Sequence, residues 1–104
     1  MGSEIIPQPN ENLELIGSLL KRDPRLGSEH TRRGYKADLT RFEEWRAGRL
    51  LSKLLVEEFA AEMQRAGKSP ATINRALAAV RWWARRLADL AQENQDLEPG
   101  QVEE

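Results

Sequence analysis

Residues 67–75 read Gly-Lys-Ser-Pro-Ala-Thr-Ile-Asn-Arg and contain the signals that begin an α-helix. Ser69 suits the N-cap, Pro70 the first helical position, and Gly67 the close of a preceding helix. The apolar residues that follow recur at the spacing of one helix face: Ile73, Leu77, Val80, Ala84 and Leu87. We therefore predict a helix from Pro70 to about residue 91 that buries this face in a core.

Three earlier segments carry similar signals. Asn10 can cap a short helix to about residue 21, Ser28 a helix that ends near Gly48, and Ser52 a helix to about residue 66. Their apolar faces hold Leu13, Ile16 and Leu20; Tyr35, Leu39, Phe42 and Trp45 or Arg46; and Leu55, Val56, Phe59 and Met63. No stretch of useful length alternates as a strand does. The sequence predicts an all-α fold of four helices.

The length of 104 residues suits one domain. Residues 1–9 contain two prolines and are predicted to form a disordered arm, whose Met-Gly-Ser start is consistent with an expression scar. Residues 10–94 form the predicted domain, and the acidic residues 95–104 a linker.

The charge of the chain is distributed unevenly. Its formal net charge is −1, but residues 65–86 hold six basic residues and no acid. After Arg86, every charged residue is acidic. A basic segment of this kind indicates a nucleic-acid partner. The absence of cysteine excludes disulfides and thiolate metal sites, and the single histidine argues against zinc. No apolar run or signal peptide points to a membrane, so we expect a cytoplasmic protein without cofactor or metal.

Candidate nucleic-acid contacts lie on two helices. Small side chains beside Asn and Arg let a helix enter a DNA major groove, where Asn suits adenine and Arg suits guanine. Free amides and hydroxyls at a helix start suit phosphate. On the fourth helix the candidates are Lys68, Ser69, Ala71, Thr72, Asn74, Arg75 and Arg81, and near the start of the second they are His30, Thr31, Arg33 and Gly34. The alternative is a solvated helix face with ordinary charges.

Other conspicuous residues are predicted to be structural. One of Trp82 and Trp83 should lie in the core and the other at its edge, because adjacent residues cannot share one face. The pair Glu43-Glu44 is expected to be solvated, and Tyr35 to belong to the core. No nucleophile–base set, paired carboxylates or glycine-rich phosphate loop is evident, so we expect no enzymatic activity.

Two blocks resemble the N-terminal domain of the tyrosine recombinase/phage integrase family. The first is Ser28-Glu29-His30-Thr31 with Tyr35, Asp38-Leu39, Phe42 and Trp45, and the second is residues 67–75 with Leu77, Val80 and Arg81. The resemblance implies a compact four-helix, SAM-like orthogonal bundle that grips duplex DNA as one half of a C-shaped clamp. It also implies that catalysis belongs to a separate C-terminal domain, toward which residues 95–104 would lead.

The same resemblance implies particular roles. Thr31 would contact phosphate, Arg33 and Gly34 would face the groove, and Arg75 would read a base. Ser69, Ala71 and Thr72 would also meet DNA, whereas Leu13, Ile16 and Leu20 would contact a neighbouring protomer in a tetramer on DNA. The isolated chain would be a monomer that binds double-stranded DNA without cutting it.

Two other functions remain open from the sequence. One is a helical protein-interaction module that uses the Leu13/Ile16/Leu20 face and an exposed tryptophan. The other is a small helix-turn-helix regulator that binds DNA as a dimer, with its turn at residues 67–70.

Overall fold

In the computed structural model, four α-helices follow one another: α1 at Pro9–Arg22, α2 at Glu29–Arg46, α3 at Lys53–Arg65 and α4 at Pro70–Val102. A short 3₁₀ turn, Pro24–Leu26, connects α1 to α2. The structure describes residues 9–102, and side chains from residue 12 to residue 93. No strand occurs within residues 9–102, which confirms the predicted all-α fold of four helices.

The predicted helix starts follow from serine caps. The Oγ atoms of Ser28, Ser52 and Ser69 accept hydrogen bonds from the backbone N–H groups three residues later, at 3.1, 3.1 and 3.2 Å. Each bond satisfies one of the N–H groups that a helix start leaves free. Gly67 has a φ of 81° and lets the chain turn sharply between α3 and α4.

Both ends of the described chain differ from the prediction. Helix α1 begins at Pro9, so Asn10 lies inside it, and the rest of the predicted arm lies outside the described residues. Helix α4 continues to Val102, so its predicted end near residue 91 is wrong. The regular apolar spacing ends there, but Ala, Leu, Gln and Glu dominate residues 88–98, and these are strong helix formers.

The core lies where α2 packs against α1 and α4, and where α3 packs against α4. Its buried side chains are Ile16 and Leu20 of α1, Leu39 and Phe42 of α2, Leu55, Phe59 and Met63 of α3, and Ile73, Ala76, Ala79, Val80 and Trp83 of α4. The buried side chains described for α4 all lie between Ile73 and Trp83, and in this part of the chain α4 packs against both α2 and α3.

Two assignments of the sequence analysis are wrong because of burial. Ile16 and Leu20 are 0% and 3% exposed in this chain's own core, so neither can belong to a protomer-contact surface; only Leu13 is partly exposed. Glu43 is not solvated but 3% exposed, and its carboxylate accepts a 2.7 Å hydrogen bond from the Trp83 indole. The tryptophan prediction is confirmed, since Trp83 is buried and Trp82 lies at the edge of the core.

Candidate nucleic-acid interface

A groove between the first turns of α2 and the side chain of Arg75 on α4 brings several predicted residues together. We call it the α2/α4 groove; its walls include His30, Thr31, Arg33, Gly34, Tyr35 and Arg75. Five of these six were predicted DNA contacts, although Arg75 is separated from the others by some forty residues of chain. The packing of α2 on α4 therefore creates one surface from the two predicted segments.

The position of Arg75 is set by Asp38, a residue that sequence reasoning did not select as functional. The Nε and Nη2 atoms of Arg75 donate hydrogen bonds to the two carboxylate oxygens of Asp38 at 2.8 and 3.1 Å. The Asp38 side chain is 2% exposed and that of Arg75 52% exposed. The hydrogen bonds from Arg75, reinforced by charge attraction, raise the pKa of its guanidinium above the ordinary value.

This pairing leaves one edge of the guanidinium available. A guanidinium has five N–H donors, and the Nε–Nη2 edge is used by Asp38. The opposite edge, formed by Nη1 and the second hydrogen of Nη2, has the fork geometry that matches a phosphate or the O6 and N7 atoms of guanine. Arg75 can thus hold Asp38 and an external acceptor simultaneously.

Gly34 lies directly under the Arg75 side chain. A Cβ atom added at Gly34 would lie 3.7 Å from both Cδ and Nε of Arg75, which is ordinary van der Waals contact. A methyl group at position 34 would therefore fit against Arg75, so the approach of this side chain to α2 does not require glycine. Its neighbour Arg33 is 75% exposed and makes only a 4.0 Å contact with Glu29, so its charge is largely free.

The first turns of α2 and α4 have the same cap. Besides accepting from the backbone, the Oγ of Ser28 donates to Thr31 Oγ1 at 3.0 Å, and the Oγ of Ser69 donates to Thr72 Oγ1 at 3.0 Å. The remaining candidates near the start of α4 are exposed: Lys68, Ala71 and Asn74. Two helix starts with free amides therefore lie next to basic side chains.

Arg81 does not belong to this groove. It lies about 9 Å farther along α4 than Arg75, from the rise of 1.5 Å per residue. There it borders a second depression, the α4/turn groove, whose walls include Asp23, Arg25, Arg81, Trp82, Arg85 and Arg86. Tyr35 of the first groove and Trp82 of the second are in ring contact, with centroids 6.4 Å apart.

Asp23 fixes the wall of the α4/turn groove. Its carboxylate accepts hydrogen bonds from the Trp82 indole at 2.8 Å and from the Arg25 backbone N–H at 3.0 Å, and it forms a 3.2 Å ion pair with Arg25. The bond from Trp82, followed by those from the backbone and side chain of Arg25, lowers the pKa of Asp23 to about 2. The carboxylate is 3% exposed, so its charge is directed into the protein.

Sequence reasoning therefore missed three buried acids: Asp23, Asp38 and Glu43. Each accepts a hydrogen bond from a side chain of α4, namely Trp82, Arg75 and Trp83. One signal was present, since a tryptophan near the core needs an acceptor for its indole N–H. The sequence did not identify which acid would supply that acceptor.

Metal and membrane features are absent from the part of the chain that the structure describes. No group of three His, Cys, Asp or Glu side chains there is arranged to hold a metal ion. None of the described helices is both long and apolar enough to cross a membrane.

Comparison with protein families gives a match over residues 23–89 to the phage integrase N-terminal SAM-like domain. The chain belongs to this family. The match includes more than half of the 104 residues, and all the residues named in the walls of the two grooves lie within it. It does not include α1 or the last part of α4. No curated protein and no solved structure matches the chain.

Proposed function

We propose that this integrase-type SAM-like domain binds duplex DNA through the α2/α4 groove and the first turns of α4. The observation that carries the proposal is the geometry of Arg75, whose buried partner Asp38 leaves a charged, two-donor edge directed away from the core. Such an edge is suited to a phosphate or to guanine.

The surrounding residues support the same partner. The exposed side chains of Arg33, in the wall of the groove, and of Lys68, just before α4, add positive charge, and Asn74 is an exposed residue of α4 next to Arg75 in the sequence. A major groove is about 12 Å wide and accepts a helix, while the amides at a helix start bind phosphate. In this arrangement Lys68, Ser69, Thr72 and Thr31 position the duplex, and Arg75 and Asn74 read base edges.

The finer role follows the family. We propose that the domain is the DNA-gripping half of a clamp in a site-specific tyrosine recombinase, used for DNA integration or recombination. Cleavage and joining would then belong to a separate catalytic domain, and neighbouring protomers would assemble on the same DNA.

The test is a titration of labelled duplex DNA followed by fluorescence anisotropy at 50 and 200 mM salt. Truncating Arg75 would leave Asp38 buried without a partner, so the informative variant is instead the exposed pair Arg33→Gln/Lys68→Gln. Each lost phosphate contact should reduce the slope of log K against log salt by about 0.9. The double variant should therefore reduce it by about 1.8 and weaken binding about tenfold or more.

The matched control is Arg22→Gln/Lys53→Gln, which also removes one arginine and one lysine charge, but from exposed positions outside both grooves. It should bind within about twofold of the unmodified protein. Equal weakening by the two double variants would show that affinity depends on the total charge of the protein and not on the position of the charges. If the unmodified protein does not bind DNA at 50 mM salt, the proposal is refuted.

A protein-interaction module remains the second candidate, on a different surface from the one predicted. The Leu13/Ile16/Leu20 face is mainly internal, but Leu50, just before α3, is 85% exposed and Leu54, in the first turn of α3, is 64% exposed. Partner binding through those leucines would be insensitive to salt and to changes at Lys68.

A further inference from the structure

We infer that the α4/turn groove is a second phosphate site, which contacts the backbone of the same duplex as the α2/α4 groove. The inference rests on the proposed function, since it assumes that the domain binds DNA. It assigns a binding role to Arg85, and it gives Arg81 a site separate from that of Arg75.

The first argument is the concentration of unneutralised charge. Four arginines line the groove, and two of them have acidic partners: Arg25 pairs with Asp23, and Arg86 pairs with Asp89. Arg81 and Arg85 are exposed and make no ion pair with any side chain that the structure describes. Two guanidinium groups are therefore available to an anion.

The second argument is that the groove is built rather than accidental. The buried carboxylate of Asp23 holds the Trp82 ring through its indole N–H and Arg25 through backbone and side chain. Among the described residues that line the groove, Asp23 is the only acid, and its carboxylate is buried and paired, so it is shielded from a phosphate. Ala78 lies in the same wall and leaves room for a sugar-phosphate chain to approach α4.

The third argument is alignment with the first groove. Arg75, Ala78, Trp82 and Arg85 recur at the spacing of one helix face, and the contact of Trp82 with Tyr35 joins the two grooves. From Arg75 to Arg85 the helix advances about 15 Å. A duplex rises about 3.4 Å per nucleotide of one strand, so a distance of about 15 Å is short compared with a site of about ten or more base pairs. One duplex can therefore reach both.

The experiment compares Arg81→Gln/Arg85→Gln with the control Arg22→Gln/Lys53→Gln in the same anisotropy titration, on three duplexes of unrelated sequence. Phosphate contacts carry no sequence information, so the weakening should be equal on all three duplexes and about tenfold or more. The salt slope should fall by about 1.8. Because Arg81 also borders α3, the single variant Arg85→Gln is measured as well, and its slope should fall by about 0.9.

The outcomes separate the two proposals. If Arg81→Gln/Arg85→Gln binds like the control while Arg33→Gln/Lys68→Gln is weakened, the second site is refuted and the first groove stands. If the unmodified protein binds none of the duplexes, the proposed function itself fails. A loss of affinity on only one duplex would also overturn the inference, because it would indicate base reading instead of phosphate binding.

Discussion

Asp38 occupies two of the five N–H donors of Arg75, and this determines which edge of the guanidinium an external acceptor can meet. The buried acid has no direct access to a ligand, because its side chain is 2% exposed. In the proposed DNA-binding groove, its contribution is therefore the orientation of Arg75, which would otherwise sample many rotamers. At the scale of single residues, Asp38 is a positioning residue.

We predict that Asp38→Asn weakens DNA binding about three- to tenfold and lowers the free energy of unfolding by about 1–3 kcal/mol. Asparagine keeps the shape and one acceptor oxygen, but its amide group faces the arginine donors and the charge attraction is lost. Anisotropy titration measures the first effect and urea denaturation the second. Arg75→Lys is the companion variant, since it keeps the charge but lacks the fork. Tighter binding by Asp38→Asn would show instead that Asp38 competes with DNA for Arg75.

Among the helices, local signals were sufficient for three of the four starts but not for the contacts. Serine caps are decided within three residues, and all three predicted serine caps are present in the structure, whereas the predicted cap Asn10 lies inside α1. The hydrogen bonds between α4 and the buried acids join residues 37, 59 and 40 positions apart: Asp38 with Arg75, Asp23 with Trp82, and Glu43 with Trp83. Helical spacing predicted the buried Ile73 and Val80 of α4, but Leu77, Ala84 and Leu87 of the predicted face are only partly buried. The core is completed by Ala76, Ala79 and Trp83, and the spacing contains no information about which acid approaches them. The basic segment was therefore predictable, whereas its division into two grooves was not.

A prediction for α2 concerns Gly34. Glycine in a helix interior costs about 0.5–1 kcal/mol relative to alanine, and the added Cβ would meet Arg75 at an ordinary 3.7 Å. Gly34→Ala should therefore raise the free energy of unfolding by about 0.5–1 kcal/mol in urea denaturation. Gly67→Ala is the contrasting variant and should be destabilising, because its φ of 81° is unfavourable for alanine. A destabilised Gly34→Ala would mean that Arg75 packs on α2 more tightly than these distances indicate.

At the scale of the whole molecule, α4 links the other parts of the chain through its polar edge as well as its apolar face. Asp23 belongs to the connection between α1 and α2, whereas Asp38 and Glu43 belong to α2, and all three accept hydrogen bonds from α4. Glu43 also accepts a bond from Asn12 of α1 at 3.1 Å. Two of these acids therefore also hold a residue that lines a groove: Asp23 holds Trp82, and Asp38 holds Arg75.

This arrangement makes global stability depend on pH through Asp23. Its pKa is lowered from 3.8 to about 2 in the folded state, so the folded protein prefers the ionised form more strongly than the unfolded chain does. The resulting stabilisation is fully present above about pH 4 and is lost as the pH falls from 3.8 toward 2.

We expect Asp23→Asn to lower the free energy of unfolding by about 1–2 kcal/mol at pH 7, a range reduced because Arg25 is exposed to water. Thermal melts at pH 7, 4, 3 and 2 should show this difference shrinking below pH 4 and nearly vanishing at pH 2. Asp89→Asn, which alters the more exposed pair with Arg86, should follow the unmodified protein at every pH. A constant difference between Asp23→Asn and the unmodified protein across this range would mean that Asp23 stabilises the fold by shape and hydrogen bonding and not by its charge.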